Sequence, residues 1–224
     1  VSGAVVIAVD GTAASGKGTL AKRLARHFGF AHLDSGSLYR LTALGVIEKG
    51  LSPHNETQAV DAALAIDPQR ADDPAIRTDA VAQAASIVAA HPAVRAALLD
   101  FQRRFAAKPP GEAQGAVIDG RDIGTVVCPN ATAKLFVDAK PETRARRRFL
   151  ELKALGRAVD EAAVLADIVA RDKRDRERAV APLRPAPDAD LLDTTLLDID
   201  AAFARALALV APRVEDALKA RHRG

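Results

Sequence analysis

At 224 residues the chain has the length of one large domain; 49% hydrophobic and 27% charged residues match soluble globular proteins and exclude disordered, collagenous and disulfide-scaffold classes. The formal net charge of +3 sits in discrete clusters at 144–148 and 171–178, the second interleaved with aspartates, so no continuous nucleic-acid-binding stripe is expected. Aromatics are only 4%, with one Tyr and no Trp, which argues against base-stacking platforms and for an aliphatic core.

VVIAVD at 5–10 predicts a short strand, and GKGTLAKRLARHFG after it repeats Leu20, Leu24 and Phe28 at helical spacing. AHLD at 31–34 is a second brief strand. Helices are predicted over 35–50 and 55–66, with Asn55 as N-cap. DPQRADDP at 67–74 reads as a polar connection, and an Ala-rich helical pattern runs from Thr78 to about Ala107 with a break near Pro92. AVID at 116–119 and KLFVD at 134–138 are strands that both end in Asp. Between them, Cys128 reads as a buried small hydrophobe at a strand end. Helices follow at 141–156 and 159–178, then a strand in DLLDT and a closing helix from Ile199. Five strands alternating with helices predict a parallel sheet in an α/β domain with helices on both faces.

The loop Gly11, Thr12, Ala13, Ala14, Ser15, Gly16, Lys17, Gly18, Thr19 follows a predicted strand and opens a predicted helix. That context makes it a phosphate loop: glycines permit close approach, backbone N–H groups point at phosphate oxygens, and the helix amino end adds partial positive charge. Lys17 then reaches the β and γ phosphates of ATP. Because Gly18 stands between Lys17 and Thr19, direct hydroxyl ligation of magnesium is not expected; the GKGT form resembles that of nucleoside monophosphate kinases, a resemblance that narrows the class. No DxxG or NKxD element occurs, which speaks against a GTPase.

Arg171, Arg174, Asp175 and Arg178 recur at i, i+3, i+4 and i+7, so a helix would gather them on one arc, with Val164 and Ile168 upstream on the same face. Consecutive arginines in RARRR at 144–148 must spread around a helix, and a solvated surface is expected there. DGRD at 119–122 ends a strand, where ligands of open α/β sheets bind. Asp119 is therefore suited to orienting magnesium-bound water, Arg121 to gripping phosphate, and Asp122 to accepting from an amino group. LDSGSLYR at 33–40 likewise follows a strand. On the residues alone, Ser86 reads as structural and Arg95 as a surface residue.

GTAASGKGTLAKRLA, LDSGSLYR, IRTDAVAQAASIVAAHPAVRAALLDFQR, DGRDIGTVV and RDKRDRERAVAPL, in this order and spacing, resemble the bacterial cytidylate kinases over nearly the whole chain. The resemblance implies a P-loop kinase fold over 1–224: a core of about 1–50 and 110–224, an acceptor-binding helical insertion of about 51–109, and a lid of about 155–187. It implies ATP on Gly11–Thr19 and a CMP phosphate held by Ser35, Arg40 and Arg121. Ser86, Arg95 and Asp122 would read the cytosine. Arg171 and Arg174 would close on the ATP phosphates, with Asp175 and Arg178 near the ribose and acceptor phosphate. Lys17, Arg121, Arg171, Arg174 and Arg178 would stabilise the transferring phosphoryl group, and Asp119 would hold Mg2+ through water. Two departures stand out. Thr12 and Ala14 occupy positions where the family pattern has proline and glycine, and the stretch 67–77 is short where many family members carry an inserted sheet.

The implied activity is ATP-dependent phosphorylation of CMP and dCMP. A different small P-loop kinase, acting on UMP, AMP or a sugar acid, would share the fold and the ATP half. An RNA-binding module would instead show RNA affinity falling steeply with salt. No apolar run approaches the roughly 20 residues of a spanning helix, no secretory signal is recognisable, and a lone cysteine forms no internal disulfide. A cytoplasmic monomer without membrane or nucleic-acid partners is expected.

Overall fold

Five short aliphatic runs form one parallel sheet: β1 (Val5–Gly11), β2 (Ala31–Asp34), β3 (Gly115–Gly120), β4 (Ala133–Asp138) and β5 (Asp190–Asp193), in the order β2-β3-β1-β4-β5. The computed structural model describes residues 4–222, so the first three and last two residues of the span expected from sequence lie outside the described residues. The helices are α1 (Lys17–Phe28), α2 (Ser35–Glu48), α3 (Glu56–Leu64), α4 (Asp79–Val88), α5 (Pro92–Ala107), α6 (Pro141–Ala154), α7 (Glu161–Glu177) and α8 (Ile199–His222). The chain divides into two units. One joins the segment up to Leu33 with everything from Ala106 onward, and the other is Asp34–Phe105.

In the first unit β1 lies centrally, paired in parallel with β3 and β4. All seven of its residues are buried, which is why the run is continuously apolar up to Asp10 rather than alternating. Val5, Ile7 and Val9 join Leu20 and Leu24 of α1 and Ala206, Val210 and Val214 of α8 in one core. Gly29 ends α1 in the left-handed conformation, its N–H reaching the carbonyl of Arg26. The register aligns Asp10 with Gly120, Gly11 with Val137, and Asp138 with Asp193. The carboxyl ends of four strands therefore lie side by side, the edge where open α/β sheets bind ligands. Helices α6 and α7 share a smaller core of Ala145, Leu152, Val164 and Ile168.

Within the second unit, Asp34, Asn55 and Thr78 cap α2, α3 and α4, Asn55 accepting from the N–H of Gln58 at 3.0 Å as expected. The segment read as a polar connection does link α3 to α4, and it carries local structure of its own. Pro68–Asp72 and Pro74–Arg77 are 3₁₀ turns, each begun by an aspartate cap, Asp67 on Gln69 N–H and Asp73 on Ala75 N–H, with proline next. Buried Ile76 anchors the second. Cys128 is corrected. It is half-buried just past a π-helical turn, Ile123–Val127, in the connection from β3 to β4 and not at a strand end.

No single helix among the described residues is long and apolar enough to cross a membrane.

Candidate active site

Gly11 can only be glycine: at φ 155°, a Cβ on it would stand 2.0 Å from the carbonyl oxygen of Val137. The loop beyond it is held from outside. Thr12 is fully buried and its hydroxyl donates to Asp138 Oδ1 at 2.6 Å. Ser15 donates to the Thr12 carbonyl, and Thr194 donates to the Ser15 carbonyl at 2.9 Å. Ala14 adopts φ 57°, a left-handed conformation that glycine would occupy without strain. Gly16, at φ 88°, is the N-cap of α1 and gives no side-chain cap. The amino end of α1 is thereby left to an external anion, with Lys17 as its first residue. A cavity of about 800 Å³ lies beside the loop, walled by Ala14–Leu20, by Arg147 and Arg148 of α6, and by Thr194 and Leu197–Asp200.

Asp119 is buried at the end of β3, with one oxygen 2.8 Å from His32 Nε2. Its other oxygen lies 3.7 Å from where a Cβ on Gly18 would stand, so this carboxylate abuts the phosphate loop. Such a single carboxylate fits an ion carried through water. Among the described residues no cluster of three His, Cys, Asp or Glu is arranged to cage a metal directly.

Arg121 donates from Nε to Asp175 Oδ2 at 2.8 Å. Burial alone would push the Asp175 carboxyl up, but the guanidiniums of Arg121, Arg171 and Arg178 together outweigh it and hold the group below its ordinary value. DGRD and the cationic end of α7 are thus one cluster. Asp122 is buried at the start of the π-helical turn. On α7 the expected face is kept by Val164, Ile168 and Asp175, which are buried together with Asp172, while Arg174 is exposed; only Arg178 leaves the helical arc. Arg178 lies past the helix with ψ 134°, donating to the Ala181 carbonyl at 2.8 Å, because the chain turns back there and the Asp175 carbonyl takes the N–H of Leu183.

In the second unit Ser35 is buried at the start of α2 and Arg40 donates to the Ile76 carbonyl at 2.9 Å. Ser86 is half-buried on α4. Arg95, read as a surface residue on sequence alone, is only 8% exposed, its guanidinium 5.4 Å from the Tyr39 ring centroid and bonded to the Ala89 carbonyl.

RARRR also departs from expectation. Arg144 is fully buried and Arg147 is tied to the Thr194 and Leu197 carbonyls; Arg146 and Arg148 lie towards the expected solvated surface, paired with Glu161 and Glu151. Several residues around the loop were missed: Asp10, His32, Asp138, Arg144, Asp172 and Thr194. Asp10 and Asp138 carried a usable signal, an acidic residue closing an apolar strand at the ligand-binding edge. The others carried none, since their partners are remote in sequence.

The family model described as cytidylate kinase matches residues 7–211 of the chain. A cytidylate kinase of Rhodopseudomonas palustris is 55% identical over 206 residues, covering 92% of this chain and 95% of its own. One of Nitrobacter winogradskyi is 56% identical over the same coverage. Among solved structures, an uncharacterised protein of Eubacterium ventriosum superposes with a TM-score of 0.51 at 16% identity, covering 92% of this chain and 98% of its own, a likeness of fold.

Proposed function

The chain belongs to the cytidylate kinase family, and on that premise we propose that it transfers the γ-phosphoryl group of ATP to the phosphate of CMP or dCMP. The observation that carries this reading is the loop Gly11–Thr19, which opens α1 without a side-chain cap beside a cavity large enough for a nucleoside. ATP phosphates would lie on this loop with Lys17 at the β and γ groups, and the donor nucleoside would enter the cavity between α6 and Thr194 with Leu197–Asp200.

Ser35, Arg40 and Arg121 would hold the acceptor phosphate, and Ser86, Arg95 and Asp122 the cytosine. Asp175 and Arg178 would serve the ribose and phosphate. The span 51–109 would be the acceptor-binding part and 155–187 a lid bringing Arg171 and Arg174 to the donor phosphates. An acceptor phosphate with a second pKa near 6 is mostly dianionic at neutral pH, so its oxygen attacks without a general base. Catalysis is then positioning and charge stabilisation: Lys17 and the arginines keep two polyanions in line and meet the charge that spreads over the transferring group. Asp119, with His32 fixing one of its oxygens, would orient the water shell of a magnesium ion, which supplies further neutralisation of phosphate charge when bound.

A coupled assay for ADP formation with ATP, magnesium and a panel of CMP, dCMP, UMP, AMP, shikimate and gluconate tests the reading. Preference for CMP and dCMP is expected. Activity centred on another acceptor would discard Ser86, Arg95 and Asp122 as base readers, and no turnover would discard the kinase reading. The same reading takes the protein as a cytoplasmic monomer without nucleic-acid partners; sizing chromatography and a salt series with RNA check the last two points.

A further inference from the structure

Arg144 heads the large side chains that are fully buried, at 1% exposure, and a charge in that position needs a reason. It sits in the first turn of α6 and its guanidinium reaches three separate parts of the fold. Nε donates to the Ala139 carbonyl at 2.8 Å, just past β4. Nη1 donates to the carbonyl of Ala13, inside the phosphate loop, at 3.1 Å. Nη1 and Nη2 together grip both oxygens of Asp172 on α7, at 3.1 and 2.5 Å. Asp172 is itself buried. Beside them Asp138, 4.0 Å from Arg144 Nε, takes the hydroxyl of Thr12, so two consecutive loop residues, Thr12 and Ala13, are tied to this one knot.

A buried ion pair is poor evidence of stability, since apolar residues of similar volume often replace such pairs without loss. A two-pronged Arg–carboxylate contact does define a distance and an angle. We propose that Arg144 and Asp172 are positioning residues for phosphoryl transfer: their pair locks α7 to the phosphate loop. The lock acts at both ends. On the loop it draws the Ala13 carbonyl outward, so that this oxygen does not face the donor phosphates. On α7 it sets the rotation and height of the helix at the residue next to Arg171 and one turn before Asp175, and therefore where Arg171 and Arg174 stand relative to Lys17. This rests on the reading above that the loop and those arginines serve ATP.

The variants are Arg144→Met, Asp172→Leu and the two combined, compared with wild type by thermal unfolding, by KM for ATP and for CMP, by kcat, and by calorimetric binding of a non-hydrolysable ATP analogue. Each single change strands a buried polar partner and lowers the unfolding midpoint. In the double variant the midpoint recovers most of the way to wild type, the Ala139 and Ala13 carbonyls still lacking their donor, while kcat stays down about a hundredfold, the order expected for a misplacement of about 1 Å. KM for ATP and the analogue's Kd rise about tenfold, with KM for CMP within about threefold of wild type; each tenfold corresponds to about 1.4 kcal/mol. A double variant with restored midpoint and wild-type kcat, ATP KM and analogue affinity would overturn the proposal. Should the double variant not fold, Asp172→Asn decides: it keeps the shape but weakens the grip, so ATP KM should rise with CMP KM unmoved, and an equal or absent change in both overturns it. Wild-type turnover with CMP is measured in parallel. Its absence would strike the kinase reading, while the analogue's affinity, which needs no acceptor, still tests the lock.

Discussion

Asp10, next to last in β1, is only 4% exposed, one carboxylate oxygen accepting the N–H of Ile123 at 2.8 Å and the other that of Gly124 at 2.7 Å. Burial disfavours the charge more than these two bonds and nearby Arg121 favour it, and Asp122 adds repulsion, so the carboxyl is pushed up from 3.8 to about 7. A folded-state value above the unfolded one means the folded protein binds the proton more tightly. Below about pH 4 both states are protonated and nothing is lost; as pH rises towards 7 the unfolded chain ionises first and stability falls. The full span corresponds to about 4 kcal/mol, of which about 2 kcal/mol falls between pH 5 and pH 7. Asp10→Asn carries no titration, although its amide N–H₂ confronts one of the two backbone donors and lowers stability by a pH-independent amount. Urea unfolding of both proteins, followed by circular dichroism at pH 5, 6 and 7, isolates the effect, since every other group titrates alike in the two. Relative to the variant, wild type should lose about 2 kcal/mol over this range. A difference that stays flat within about 0.5 kcal/mol would refute the reasoning and show that the two N–H bonds keep Asp10 ionised.

Arg121→Ala removes the bond to Asp175 and a proposed phosphate ligand; in the coupled assay turnover should fall at least about 10³-fold, as for catalytic arginines in related transfers, and retention of more than about a tenth would contradict the role. Lys17→Ala should do the same, with the loss also visible as weaker binding of an ATP analogue. If Asp122 accepts from the cytosine amino group, Asp122→Asn should relax the preference for CMP over UMP, because UMP leaves a buried carboxylate facing a carbonyl, at a cost of several kcal/mol. An unchanged kcat/KM ratio would remove Asp122 from base reading. Ala14→Gly relieves a left-handed alanine at φ 57° and should raise the unfolding free energy by up to about 1 kcal/mol, glycine's greater freedom in the unfolded chain offsetting part of the gain. A loss of stability would show that the loop holds Ala14 there without strain.

Much of the molecule was legible in one dimension. The strand and helix order followed from apolar periodicity, Asn55 announced the start of α3, and the loop Gly11–Thr19 stood out because anion binding at a helix amino end needs glycines and a lysine at close sequence spacing. Local chemistry of this kind is written in neighbouring residues. The 3₁₀ turns of 68–77 were within reach of the same logic, through Asp67–Pro68 and Asp73–Pro74, but polarity masked them.

What only the tertiary structure decided is which charged residues are inside. Five residues in RARRR point around α6, and nothing local distinguishes Arg144 from Arg146; the burial of Arg144 depends on Asp172, 28 positions away, and on the Ala13 carbonyl, 131 positions away. Arg95, Asp10 and His32 are likewise assigned by partners remote in the chain or by the packing around them. Burying a charge is unfavourable until its counter-charge and hydrogen bonds arrive together. A pattern along the sequence can mark a residue as charged, and the folded chain alone brings the partners that permit it to leave water.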